Sequence, residues 1–180
     1  MLYFVTGNTH KFQEFQSILW VENIQQLKID LDEIQEIDPH KIIRHKLQEA
    51  LKHHPGPLLI EDTSLYFDCL WGHLPWPLIK RFMHEMGNKK LYALAKKYDD
   101  FKAKATVLIG YAKNKDEIDF FEGSINGTIV EPMHASEFGR DPIFQPEGHD
   151  KPYGAMEREE KNKVSMRRMA LDKLKTFLEK

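Results

Sequence analysis

Apolar and polar positions along the first half of the chain switch repeatedly between extended and helical periods. Leu2-Tyr3-Phe4-Val5 is a short apolar run that reads as a strand, and Thr6-Gly7-Asn8 turns it into a helix predicted over Thr9 to Trp20. Ile24 to Leu31 reads as a second strand leading into the acidic stretch Asp30 to Asp38. Pro39 suits the first turn of a helix running to about His53, with Ile42, Ile43, Leu47, Ala50 and Leu51 on its apolar side. Pro55-Gly56-Pro57 breaks it. Leu58-Leu59-Ile60 is a continuous apolar run, the pattern of a strand covered on both faces, and is expected to end at Glu61-Asp62-Thr63.

Ser64 to Leu70 alternates as a further strand, and Trp71 to Pro77 forms a loop. Two helices are predicted next, over Leu78 to Glu85 and Lys89 to Lys97. Ala103 to Ala112 and Ile118 to Val130 read as paired strands joined at Asn114 to Glu117. Residues 132–156 are loop-rich, with Pro142, Pro146, Gly148 and Pro152, and loops this long in compact domains are often functional. A last helix is predicted over Glu159 to Glu179, packed through Val164, Leu171, Leu174 and Leu178. Alternating helices and strands followed by paired strands predict an α/β protein whose mixed, twisted sheet is flanked by helices.

The 180 residues fit a single domain, or one domain of two lobes, long enough to bury a core. Apolar residues make up 41% and charged residues 30%, the balance of a water-soluble globular chain. A formal net charge of -2 offers polyanions no general attraction, and no basic stripe supports DNA or RNA binding. Phosphate chemistry would have to come from local lysines. The single cysteine, Cys69, excludes an intrachain disulfide and argues against a Cys-based zinc site, so a reducing, cytoplasmic setting is expected. The apolar start Met1 to Val5 is too short for a secretory leader and lacks a basic region before it. No apolar run reaches the roughly 20 residues of a membrane helix. None of the nine histidines falls in a recognised metal spacing, and nothing reads as a kinase-type P-loop.

The opening turn carries the first candidate chemistry, because strand, glycine and helix N-terminus together make an anion site. Gly7 permits close approach to the backbone, Asn8 or Thr9 caps the helix, and the first N–H groups and the dipole favour a phosphate. Lys11 sits in the first turn, where a cation opposes the dipole unless an anion is bound, and it shares a helix face with Glu14. Glu61 and Asp62, at the predicted end of a buried strand, are costly there unless cations compensate them. Neighbours on an extended segment face opposite ways, so one of the two is expected to face a ligand while the other anchors a neighbour. Asp32, Glu33 and Glu36 read as a solvated turn that matters only where it meets Asp62. Magnesium suits such sparse carboxylates, since it keeps waters and takes phosphate oxygens. Phe138-Gly139-Arg140-Asp141-Pro142 reads first as an Asp-Pro turn with a buried Phe, and Ser165-Met166-Arg167-Arg168 as surface charge around one core Met.

Together these segments resemble the Ham1-type family of nucleoside triphosphate pyrophosphatases, with five motifs in the family's order between Phe4 and about Leu174. Thr6-Gly7-Asn8-x-x-Lys11-x-x-Glu14 is similar to the opening signature, and Glu61-Asp62-Thr63-Ser64-Leu65 to the central acidic motif. Gly72-His-Leu-Pro75-Trp-Pro77-x-Ile79-Lys80 resembles the loop and helix that follow. Phe138-Gly139-x-Asp141-Pro142-Ile-Phe144-x-Pro146-x-Gly148 resembles the base-side loop, and Glu160-Lys161-Asn162-x-Val164-Ser165-x-Arg167 the start of the last helix. The resemblance implies an elongated, two-lobed mixed α/β fold about a central cleft and a homodimer. It also implies Mg²⁺-dependent hydrolysis of a nucleoside triphosphate, one that is deaminated or otherwise non-standard, to monophosphate and pyrophosphate. By motif, it implies that Thr6, Gly7, Asn8 and Lys11 hold the triphosphate and that Lys46 and Lys80 face phosphates. Asp62 and Glu33 would serve the metal, with Glu36 as the register alternative to Glu33, and Asp62, Lys11 and Lys46 would be catalytic. Phe138 would stack on the base, Gly139, Arg140 and Asp141 would lie at the sugar–base end, and Lys161, Ser165, Met166 and Arg167 would complete the nucleotide pocket. Asp62 is the candidate to orient or deprotonate the attacking water.

The departures from the family gather on the base side. Arg140 stands where a Trp or Tyr is usual, Met166 replaces the histidine of a Ser-His-Arg signature, and Pro152-Tyr153-Gly154-Ala155-Met156 departs from a Thr-aromatic-Ala-Glu-aliphatic pattern. A guanidinium still stacks and donates, but Met has no donor for a base carbonyl. Altered base selectivity with pyrophosphohydrolysis retained is therefore expected. Maf-like pyrophosphatases of pyrimidine or modified nucleotides are an alternative that the Thr-Gly-Asn turn disfavours. A non-catalytic nucleotide sensor is another, disfavoured by Glu61, Asp62 and the lysines at 11, 46, 80 and 161.

Overall fold

The computed structural model describes residues 1–19, 23–32, 34–76, 78–132, 139 and 141–179, with the side chain of Lys80 outside that set. In chain order the elements are β1 (Leu2–Val5), α1 (Thr9–Leu19), β2 (Ile24–Leu27), α2 (Pro39–His53), β3 (Leu58–Phe67), α3 (Ile79–Tyr98), β4 (Lys102–Ala112), β5 (Ile118–Ile129), β6 (Phe144–Pro146), α4 (Arg158–Val164) and α5 (Met166–Leu178). Short 3₁₀ turns occupy Asp68–Leu70 and Tyr153–Ala155. The strands form one sheet in the order β2-β1-β3-β4-β5-β6. Its mixed character is direct: β1 runs parallel to β2 and β3, while β6 runs antiparallel to β5.

Local chemistry explains most boundaries. Asp38 accepts from the His40 amide at 2.9 Å, and Pro39 occupies a helix position whose N–H has no helical partner, so α2 begins where the pattern places it. The two helices predicted over 78–97 are both present: α3 is two helical stretches that meet at Gly87, whose torsions (φ 69°, ψ 171°) are not helical and which lies in the gap left between the predicted pair. β2 stops at Leu27, short of the predicted Leu31, and the loop-rich stretch contains the short β6. The predicted last helix is two, because Ser165 is extended (φ -76°, ψ 147°) between α4 and α5. The most consequential difference is β3. The expected break at Glu61-Asp62-Thr63 is absent, and both carboxylates lie inside a ten-residue strand rather than at its end. The polar run survives there because it bonds within itself: Thr63 Oγ1 donates to Glu61 Oε1 and the Thr63 amide to Asp62 Oδ1, each at 3.0 Å. Buried Leu65 and Phe67 then anchor the far half.

The chain packs as two compact units, Met1–Thr63 with Val107–Gly123 and Met166–Lys180, and Ser64–Thr106 with Ser124–Ser165. In the first, Ile43, Leu47 and Ala50 of α2 pack with Val5, Leu58, Ile60, Leu108 and Ala112. Gly110 permits that close approach, since a Cβ there would lie 2.3 Å from Ile43 Cγ2 and 2.8 Å from Leu47 Cδ1. In the second, Leu91, Ala95, Ala105 and Phe144 are buried, and the Phe144 and Tyr153 rings lie 5.6 Å apart. Gly110→Ala is expected to destabilise the protein by about 1–3 kcal/mol through overpacking. The check is a lowered urea midpoint at unchanged m-value; an unchanged midpoint would contradict the packing.

Candidate active site

The opening turn is held from both sides. The Thr6 amide donates to the Leu27 carbonyl at 3.1 Å, and Gln26 Nε2 donates to the Thr6 carbonyl at 2.9 Å, so β2 fixes the end of β1. Thr6 Oγ1 accepts from the Asn8 amide, and Asn8 Oδ1 from the Lys11 amide, both at 3.1 Å. Of the two capping residues open from the sequence, Asn8 is therefore the cap and Thr9 lies in the first helical turn. Gly7 does not use the left-handed torsion that glycine permits; its contribution is space, since a Cβ there would meet no atom within 4 Å.

One turn into α1, Lys11 enters a cluster of charges within the first unit. Its Nζ lies 3.2 Å from Glu61 Oε1, and the Glu61 side chain is wholly buried. Arg167, at the start of α5, grips Glu61 with a fork: Nε donates to Oε2 at 2.6 Å and Nη2 to Oε1 at 3.0 Å, while Nη1 donates to Glu14 Oε2. Burial pushes the Arg167 guanidinium down to about 10, which still leaves it charged at neutral pH. The reach of Arg167 depends on how closely α5 meets β5. A Cβ on Gly123 would lie 2.0 Å from the Met166 carbonyl oxygen and 2.8 Å from the Ala170 amide, so only a glycine lets the helix start where it does. Met166 itself is buried beside it.

Asp62 faces the other way from Glu61, as alternation on a strand requires, and is partly exposed. Lys46 is half-buried on α2. Glu36 is already occupied: its Oε1 accepts from the Ile37 and Asp38 amides at 2.7 and 3.2 Å, and Lys41 Nζ lies 3.4 Å from Oε2. Those two amides, and then Lys41, hold its carboxyl below the usual carboxylate range. Among the described residues no group of three or more His, Cys, Asp or Glu side chains is placed to hold a metal. A single partly exposed carboxylate such as Asp62 fits Mg²⁺ bound mainly through waters and substrate phosphates, and does not fit an all-protein cage.

In the second unit, Lys161 Nζ donates to Asp141 Oδ2 at 2.7 Å, with both side chains largely buried. The Asp141 carbonyl accepts from the Gly154 amide at 2.8 Å, and a Cβ on Gly154 would lie 3.0 Å from Pro142 Cα and N. A glycine in the divergent Pro152–Met156 segment thus lies flat against the Asp141-Pro142 turn. Gly139 has φ 55°, and its carbonyl accepts from Asn88 Nδ2 at 3.0 Å. Asn88 follows the kink in α3, and no sequence motif pointed to it. Ser165 is buried where α4 ends. Glu33, Phe138 and Arg140 lie outside the described residues, as does the Lys80 side chain. Glu61→Ala leaves the Arg167 charge buried without its fork, and is expected to cost about 3–5 kcal/mol of stability, whereas Asp62→Asn is expected to cost under about 1 kcal/mol. Thermal or urea unfolding of both variants checks the contrast, and equal losses would contradict it.

The sequence profile of the Ham1 family matches residues 2–177 of this chain. Among solved structures, a HAM1 protein from Coxiella burnetii shares 25% identity at a TM-score of 0.86, with 99% of each chain covered. The Staphylococcus aureus Ham1 protein shares 23% at a TM-score of 0.83, over 99% of this chain and 98% of that one. A nucleoside-triphosphatase / dITP/XTP pyrophosphatase from Mycobacterium abscessus shares 24% at a TM-score of 0.73, over 97% and 98%. With its motifs, its mixed sheet and nearly its whole length in agreement, the chain belongs to the Ham1 family.

Proposed function

We propose that this Ham1-family protein hydrolyses a nucleoside triphosphate between its α and β phosphates, releasing the monophosphate and pyrophosphate. The observation that carries the reading is the Asn8-capped N-terminus of α1, whose Lys11 lies 3.2 Å from Glu61, the strand neighbour of Asp62. A triphosphate brings about four negative charges, so the task is positioning and neutralisation. In this reading Thr6, Gly7, Asn8 and Lys11 take the phosphate chain, and Lys46 and Lys80 add positive charge. A carboxylate oxygen of Asp62 orients the water and accepts its proton as the water oxygen bonds to the α-phosphorus. The α–β bridging oxygen departs with pyrophosphate. Magnesium, when bound, screens the charge that develops on the phosphate oxygens. Asp62 and Glu33 are its assigned carboxylates, and the existing bonds of Glu36 favour Glu33 over it.

Asp141, Lys161, Ser165 and Gly139, with Phe138 and Arg140, are assigned to the sugar and base. The name of the similar Mycobacterium abscessus protein supports a non-standard base. Arg140 and Met166, where the family has an aromatic and a histidine, support a selectivity that differs from strict preference for inosine and xanthosine triphosphates. Family resemblance also supports a homodimer, and the lone Cys69 a cytoplasmic setting. Asp62→Asn is expected to lower kcat by about 10²–10⁴-fold, with KM changed far less. A panel of standard, deaminated and modified nucleoside triphosphates, read by pyrophosphate release, tests both parts. No release from any member contradicts the reaction, and release from inosine and xanthosine triphosphates alone contradicts the altered selectivity.

A further inference from the structure

Asn88 opens a helical stretch without capping it. It follows Gly87, whose torsions are not helical, and so begins the second stretch of α3. At the start of α1, by contrast, Asn8 turns its Oδ1 onto the Lys11 amide. Asn88 sends its Nδ2 away from its own helix, to donate at 3.0 Å to the Gly139 carbonyl 51 positions along the chain. A carbonyl only accepts, so this contact fixes which end of the amide points where. The other end, Oδ1, is buried and has no hydrogen-bond partner among the described residues. A buried acceptor left unpaired costs stability, so the fold gains little from this side chain for its own sake.

The two ends of the turn that Asn88 touches are held differently, all within the second unit. From Asp141 onward the chain is fastened: its carbonyl accepts from the Gly154 amide at 2.8 Å, its carboxylate meets Lys161 Nζ at 2.7 Å, and Pro142 and Ile143 are buried. Gly139 is exposed, its φ of 55° lies where glycine moves freely, and a Cβ there would meet no atom within 4 Å. Packing has little hold on Gly139, and the Asn88 amide supplies one. We propose that Asn88 is a positioning residue for the base end of the substrate: by holding the Gly139 carbonyl it keeps the turn into Asp141 where a nucleoside is received. The inference rests on the assignment of Gly139 and Asp141 to the sugar and base given above. A turn that occupies its receiving position only part of the time weakens nucleotide affinity by that fraction and leaves the phosphate end untouched.

Asn88→Leu removes the donor and the unpaired acceptor together, and Asn88→Asp keeps the shape but sets a carboxylate oxygen against the carbonyl. Both are expected to raise KM about three- to tenfold for every nucleoside triphosphate that the parent hydrolyses, Asn88→Asp the more, with kcat within about twofold. Inorganic tripolyphosphate has no base, and by calorimetric titration in magnesium buffer it is expected to bind both variants within about twofold of the parent. The urea midpoint of Asn88→Leu is expected to equal or exceed that of the parent, because water replaces the lost donor at exposed Gly139. Parent-like KM for nucleotides in both variants overturns the proposal. So does tripolyphosphate binding that weakens in step with nucleotide binding, the mark of a merely structural contact. A parent protein that releases no pyrophosphate from any nucleoside triphosphate overturns the functional reading and this proposal with it, whereas an active parent beside variants of unchanged KM overturns this proposal alone.

Discussion

A carboxylate with no access to water must find its partners in the fold, and Glu61 finds two cations and a hydroxyl. Arg167 closes on both of its oxygens, Lys11 approaches one of them, and Thr63 donates a hydroxyl to the same one. Those contacts tie the start of α5 and the first turn of α1 to the middle of β3, elements far apart in sequence. A buried pair of this kind is weak evidence for stability, because a well-packed apolar pair often does as well. Its value here lies in geometry. It fixes where Lys11 stands relative to Asp62, and it obliges α5 to begin against β5, which Gly123 alone has room to permit.

This constraint also orders the two carboxylates. On a strand, adjacent side chains diverge, so a buried Glu61 leaves Asp62 on the other face. Glu61 is committed to structure, while Asp62 is left partly exposed and open to chemistry. The same division runs through the cations: Arg167 is spent inside, and Lys11 is half in and half out.

Local signals were legible in the sequence and long-range ones were not. Pro39 marked the start of α2, the gap left between the two predicted helices fell at Gly87, and the Thr-Gly-Asn turn announced a capped helix at a strand end. The reading of Glu61-Asp62-Thr63 as a strand terminus failed because a run of polar residues looks like a turn unless its partners are known. The Thr63 bonds and the guanidinium of Arg167, 106 positions away, turn that run into strand interior. Alternation did foretell that one acid would anchor a neighbour, but no spacing rule names Arg167 or gives Glu14 a task. The break at Ser165 was hidden for a related reason, since the helical spacing of apolar residues continues across it while the backbone does not. Asn88 and Gly154, which support the turn around Asp141, carry no motif at all.

The phosphorus atom that water attacks defines the reaction. Turnover of a hydrolysed nucleoside triphosphate in ¹⁸O-enriched water, with mass spectrometry of both products, reads this directly. Attack at the α-phosphorus, as proposed, predicts the label in the nucleoside monophosphate and unlabelled pyrophosphate. Label in pyrophosphate, or release of labelled orthophosphate with a nucleoside diphosphate, would contradict it.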